Sequence, residues 1–276
     1  GNNRTTGMEL NLPAGTEFID RDGNTITGSQ LNVEVGHFDS DNTESLDAFP
    51  GGFSSDSIQQ ADGTFQPGTF LTAGFTTIDM TIGGKEVKEF STPITVTMDV
   101  SPNAQFLAAD GSTRNIQAGD IIPVWSYDEV DGDWVYETED TVEAKPTGGL
   151  MVDYQTTHLS WWNLDYYGSR CSGYGNIVFE LPGWPANAGR YFYVRIVWPG
   201  TNQAISGYAS RRRYLKDAYL LRPYNAPSAP VDIVVKDMQG NEVGRATRQV
   251  ICNGQINVTV SAPPPTTIIG FSIQAY

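Results

Sequence analysis

The chain has 276 residues, more than one compact core usually holds, so two domains are expected. Hydrophobic residues make up 39% and charged ones 18%, with 29 Gly and 16 Pro, a balance that favours many short strands joined by turns and excludes a mainly helical fold. With 12 Phe, 13 Tyr and 6 Trp the chain has the apolar area that disordered sequences lack, and a net charge of −15 makes a nucleic-acid partner a poor fit.

The polar opening from Gly1 to Thr6 reads as a tether left after removal of an export or lipoprotein signal, and a lipid anchor on the native N-terminus is expected with it. Alternation then marks half-buried strands at Met8-Glu9-Leu10-Asn11-Leu12, Leu31-Asn32-Val33-Glu34-Val35 and Ile94-Thr95-Val96-Thr97-Met98. Residues 39–66, rich in Asp, Ser and Gly, read as a long surface excursion. Further strands are expected at residues 69–82, 121–127, 134–138 and 150–154. Turns are expected at Asp22-Gly23, Gly83-Gly84, Asp110-Gly111 and Asp131-Gly132.

Charge then changes sign. Through residue 169 there are 6 Lys and Arg against 27 Asp and Glu, and from Arg170 onward 11 against 5, so the two parts carry −21 and +6. The change falls on Gly168-Ser169-Arg170-Cys171-Ser172-Gly173, whose small polar residues read as a linker. An acidic domain over residues 1–168 and a basic one over 169–276 are therefore expected. In the second, strands are expected at residues 191–198, 231–235, 255–260 and 268–275, enough for an immunoglobulin-like or transthyretin-like sandwich. Residues 208–221 suit a helix or an edge strand. Cys171 and Cys252 are expected to form a disulfide, with two buried thiols as the alternative, and a bridge favours an extracytoplasmic location. No window approaches the ~20 apolar residues of a membrane helix.

Pro123-Val124-Trp125-Ser126-Tyr127-Asp128, Asp131-Gly132-Asp133-Trp134 and Thr157-His158-Leu159-Ser160-Trp161-Trp162-Asn163, with Leu12-Pro13-Ala14-Gly15-Thr16 and Ala48-Phe49-Pro50-Gly51-Gly52-Phe53, form a distinctive set. Residues 8–165 thereby resemble bacterial extracellular β-sandwich proteins similar to the ZU5 domain and to the ectodomains of cartilage intermediate layer protein and the FAM171 family. The resemblance implies a surface module, and the fold class expected is all-β, two β-sandwiches in tandem. Some ZU5 domains cut their own chain at a His-hydrophobic-Ser tripeptide, which His158-Leu159-Ser160 matches. There His158 would take the Ser160 proton and Oγ would attack the Leu159 carbonyl.

Two acidic groups suit calcium: Asp39, Asp41, Glu44 and Asp47, and Asp128, Glu129, Asp131 and Asp133. Neither follows the EF-hand spacing, and apart from calcium no cofactor is expected. Arg211-Arg212-Arg213 with Lys216 and Arg222 is the strongest basic feature, read first as an interface with the acidic domain and second as an anion site. Trp184 and Trp198 are candidates for stacking on sugars. The leading expectation is a non-catalytic exported module for adhesion, ligand binding or envelope support, binding a surface protein or glycan. Self-processing and carbohydrate binding are the other readings.

Overall fold

A computed structural model describes residues 7–184, 190–201, 203–205, 211–224, 226–252 and 254–262, without the side chains of Thr43 and Arg211. The strand expected at residues 268–275 and the tether of residues 1–6 lie outside the described residues. The first half contains β1 (Met8–Asn11), β2 (Phe18–Ile19), β3 (Thr25–Ile26), β4 (Leu31–Asp39), the single-turn α1 (Thr43–Leu46), β5 (Ser54–Gln59), β6 (Phe65–Ile82), β7 (Lys85–Glu86), β8 (Glu89–Val100), β9 (Gln105–Leu107), β10 (Thr113–Asn115), β11 (Ile121–Asp128), β12 (Asp133–Thr141), β13 (Glu143–Ala144), β14 (Leu150–His158) and β15 (Trp161–Ser169). The second contains β16 (Asn176–Glu180), β17 (Arg190–Val197), β18 (Arg211–Leu215), β19 (Tyr219–Leu221), β20 (Val231–Lys236), β21 (Glu242–Gln249) and β22 (Gln255–Thr259). The protein is all-β, with sandwich-like layering.

One layer runs β13-β14-β8-β2-β3, with β1 also on β8. The alternation read at residues 94–98 places Ile94, Val96 and Met98 in the core, against Ile78, Met80 and Ile82 of β6. The opposing sheet runs β15-β11-β12-β5-β6-β4 and also pairs β15 with β6, so β6, β15, β11, β12 and β5 close into a ring. Closure needs one parallel pairing, β5 with β12 through Ile58↔Trp134 and Gln59↔Val135. It removes the free edges that an open sheet would leave on these five strands.

The ring builds its own aromatic core from Ile58, Phe70, Phe75, Trp125 and Trp134, none more than 2% exposed. Residues 39–66 are therefore not the surface excursion that their polarity suggests. Asn42 caps α1, its side chain accepting from the Glu44 and Ser45 amides. The turn and the chain after it deliver Leu46, Phe49 and Phe53 into the aromatic core. Phe49 stacks on Phe53 at 4.2 Å and on Trp134 at 4.8 Å.

The expected linker is also partly strand, because Gly168 and Ser169 end β15 against β6. Strand ladders do separate there: β16 pairs with β19 and β22, and β17 with β18 and β20, which carries β21. Residues 208–221 form β18 and β19 where they are described, not a helix. Cys171 and Cys252 are joined in a disulfide, with Cα atoms 5.4 Å apart.

The contact between the two sets of sheets is largely apolar and neutral. Trp198 is fully buried and donates its indole N–H to the Phe70 carbonyl at 2.9 Å. Gln203 donates to the same carbonyl at 2.8 Å and accepts from the Thr72 amide at 3.0 Å. Gly168 lies where a Cβ would come within 3.0 Å of the Trp198 ring. Arg170 and Asp56 form an ion pair across this contact at 2.5 Å. Arg195 also feels Asp47, which opposes the downward push of burial on its pKa.

Candidate functional site

The His158-Leu159-Ser160 corner joins β14 to β15, and its hydrogen bonds lead away from self-cleavage. The Ser160 hydroxyl donates to the Tyr127 carbonyl at 2.6 Å and accepts from the Tyr127 amide at 3.2 Å. His158 Nε2 meets Glu137 Oε1 at 3.2 Å, and its ring lies 4.9 Å from that of Trp162. Ser126 donates to the same Glu137 oxygen at 2.6 Å. Burial raises the Glu137 pKa, but the bonds from His158 and Ser126 hold the carboxyl below its usual value.

His158 thus bonds Glu137 and the Ser160 hydroxyl bonds the Tyr127 backbone, whereas an activated nucleophile needs the imidazole as the partner of its own hydroxyl. The backbone carries no left-handed strain at this corner either: among the described residues the non-glycine positive φ values fall at Ala218 and Arg248. The cleft above, about 540 Å³ and bordered by Lys88, Glu137 and His158, can hold a small polar molecule.

The acidic groups serve the fold's turns and loops. Asp41 accepts from Ser101 and from Asn103, and Asp39 from the Asp41 amide. Asp128 accepts from the Val130 and Asp131 amides, closing the β11–β12 turn whose Gly132 has φ 79°. Among the described residues no three His, Cys, Asp or Glu side chains form a group able to hold a metal, and Asp131 and Asp133 do not join Asp128 in one.

The basic run of residues 211–213 lies along one strand of the second half. Arg211, Arg212 and Arg213 open β18, which is the outer strand beside β17. Alternation turns Arg213 to the face of buried Phe192 and Leu215, and Arg212 to the outer face with Tyr191 and Tyr214. The Arg212 guanidinium lies 3.9 Å over the Tyr191 ring, and Tyr191 meets Tyr214 edge-on at 5.1 Å. Lys216 is exposed in the turn to β19 and takes no part in this cluster.

Beside that pair stands a second of the same kind. Trp184 donates its indole N–H to the Val260 carbonyl at 3.1 Å, and its ring meets Phe192 edge-on at 5.7 Å. The Arg190 guanidinium rests 4.8 Å from the Trp184 ring. The β20–β21 turn closes the third side: β17 and β20 part after Tyr193↔Lys236, and Asp237 organises the turn by accepting from the Gln239 and Asn241 amides. Its bond with the Asn241 side chain is the main cause holding the Asp237 carboxyl below its usual pKa.

The result is a cleft of about 550 Å³ with Phe192 and Val243 as apolar lining and Arg190, Arg212 and Asp237 as charges. Tyr191 and Tyr214 are about half exposed, at 47% and 49%. Two guanidinium groups flattened on aromatic rings suit a flat, partly apolar ligand that bears negative charge.

No family model, curated protein or solved structure matches the chain. The reading of function therefore rests on the clefts themselves. Of the two tryptophans singled out for sugar stacking, the structure keeps Trp184 in the cleft and buries Trp198 at the junction. Glu137, Tyr191, Tyr214 and Arg190 carry no distinguishing sequence signal alone; Tyr191 and Arg190 could have been found by reading the opening of β17 against the basic run of β18.

Proposed function

We propose that the protein is a non-catalytic, extracytoplasmic binding module whose ligand is an acidic saccharide held in the cleft between Trp184, Tyr191 and Tyr214. The observation that carries this is the pair of ring-stacked guanidiniums, Arg190 on Trp184 and Arg212 on Tyr191, at the mouth of an apolar cleft. Sugar C–H faces suit the tyrosine rings, and uronate or sulfate groups suit the arginines. A disulfide spanning 81 residues, with no described helix long and apolar enough to cross a membrane, is compatible with that location. The ZU5-like resemblance of residues 8–165 belongs to the same reading on its motifs alone, as does a lipid anchor preceding β1.

A calorimetric titration with sulfated and uronate-bearing oligosaccharides tests it. Binding that weakens with salt and drops at least tenfold in Arg212→Ala and in Tyr191→Ala is expected. Absence of binding to any acidic oligosaccharide, or binding untouched by both variants, refutes the assignment. Self-processing stays a weaker reading, since the hydroxyl it needs is engaged with the Tyr127 carbonyl.

A further inference from the structure

Three polar side chains stand inside the aromatic core of the ring. Thr72 of β6 is 2% exposed, and Asn163 and Asp165 of β15 are 0% exposed. Alternation puts Asn163 and Asp165 on the face of β15 that carries Trp161 and Tyr167, both packed against that core. The ladder sets Thr72 opposite Asp165, where its register slips. The Gly74 amide donates to the Thr72 hydroxyl oxygen at 3.0 Å, which fixes where that oxygen points. Burying so much hydrogen-bonding capacity beside Phe70, Phe75 and Trp125 is costly, and Asp165 Oδ1 is left without a partner.

The three groups are placed as reactants. The Thr72 hydroxyl donates to Asn163 Oδ1 at 3.1 Å, one bond from the amide carbon, and Asn163 Nδ2 donates to Asp165 Oδ2. Burial makes Asp165 hold its proton to higher pH than usual, against the opposing bonds from Thr72 and Asn163. A neutral carboxyl can accept a proton on one oxygen while giving one from the other, so no further base is required. A polar cavity of about 290 Å³, bordered by Thr72, Gln203 and Asp41, opens beside the group.

We infer that Thr72 and Asn163 join as a side-chain ester in the folded protein, with Asp165 relaying the proton. Thr72 Oγ1 attacks the Asn163 amide carbon while its proton passes to one Asp165 oxygen, and the other Asp165 oxygen protonates Nδ2. The carbon–nitrogen bond then breaks, ammonia leaves by way of the cavity, and Asp165 ends with the proton count it began with. No oxidant, reductant or co-reactant enters. Fixed proximity drives the attack, and a core that excludes water protects the ester from hydrolysis. Ammonia becomes ammonium in water, which draws the exchange forward. The bond ties β6 to β15 within the ring, and its constraint on the unfolded chain is the same at every pH. It forms once per chain and is independent of the saccharide cleft.

Intact-mass spectrometry of the full chain, incubated folded and then reduced and denatured, tests this. The chain is expected to be one ammonia lighter than its sequence requires. Trypsin cuts between the two residues at Lys85, Lys88 and Arg114, so the peptides holding Thr72 and Asn163 should come off joined. Thr72→Ser should keep both the mass loss and the joined peptide. Thr72→Ala and Asp165→Asn, checked for folding by circular dichroism, should show the full mass and separate peptides. An unsubstituted chain at its full sequence mass overturns the inference. Ammonia loss that survives in Thr72→Ala overturns it too, and indicates that Asn163 has closed on its own backbone. A joined peptide in folded Asp165→Asn overturns the proton relay.

Discussion

Replacing Asp165 by Asn should flatten part of the pH dependence of stability. Asp165 is 0% exposed in β15, its Oδ2 accepts from Asn163, and its Oδ1 has no partner. Burial therefore pushes its pKa well above the ordinary carboxylate value, against the lowering by hydrogen bonds from Thr72 and Asn163, so the fold holds the proton to higher pH than the unfolded chain does. Below the unfolded pKa, about 3.9, both states hold the proton. Above it the unfolded chain ionises while the folded one does not, so stability falls by about 1.4 kcal/mol per pH unit until the folded value is reached.

In the variant the new amide nitrogen would take the place of Oδ1 without a partner, costing about 1–3 kcal/mol at every pH, which shifts the curve without tilting it. Urea unfolding followed by tryptophan fluorescence at pH 5, 6 and 7 separates the two effects. Relative to the unmodified protein, the Asp165→Asn variant should gain stability as pH rises, by up to about 1.4 kcal/mol per unit while the folded protein still holds the Asp165 proton. Parallel stability curves would show that Asp165 is ionised in the fold and that the burial argument fails.

Three further outcomes follow from the geometry. Reducing the Cys171–Cys252 bridge frees an 81-residue separation, and the chain-entropy relation gives about 4.5 kcal/mol of destabilisation, read from urea midpoints with and without reductant. Phe49→Ala should cost about 3–5 kcal/mol, because Phe49 is 5% exposed and stacked on Phe53 and Trp134; a cost below about 1 kcal/mol would return residues 39–66 to the surface. The protein should stay a single band through long incubation, and Ser160→Ala should not change its mass beyond the lost oxygen; fragments ending at Leu159 would contradict the Ser160 to Tyr127 bond.

Period-two alternation made β1, β8 and β17 legible, since each turns one face inward, and it marked β4 as well, although residues 31–35 of that edge strand are exposed on both faces and not half-buried as expected. β15 escaped notice because Trp162 to Tyr166 are buried without alternation, as befits a strand packed on both sides. Residues 39–66 misled for the opposite reason: their Asp and Ser residues form caps and turns, while Leu46, Phe49 and Phe53 bury too sparsely to show a period. The charge split located where the ladders part, yet the arginines behind it face a cleft, because local stacking on Tyr191 fixes Arg212 and net charge does not. Trp184 was visible as a residue type; its cleft was not, since it is assembled from β17, β18 and the turn after β20.

The ring in the first half sets a condition on when the chain can fold. β6 pairs with β15 across about 90 intervening residues, and that pairing is the one that shuts the ring. A growing or translocating chain therefore carries Phe70, Phe75 and Trp125 uncovered until Ser169 has emerged.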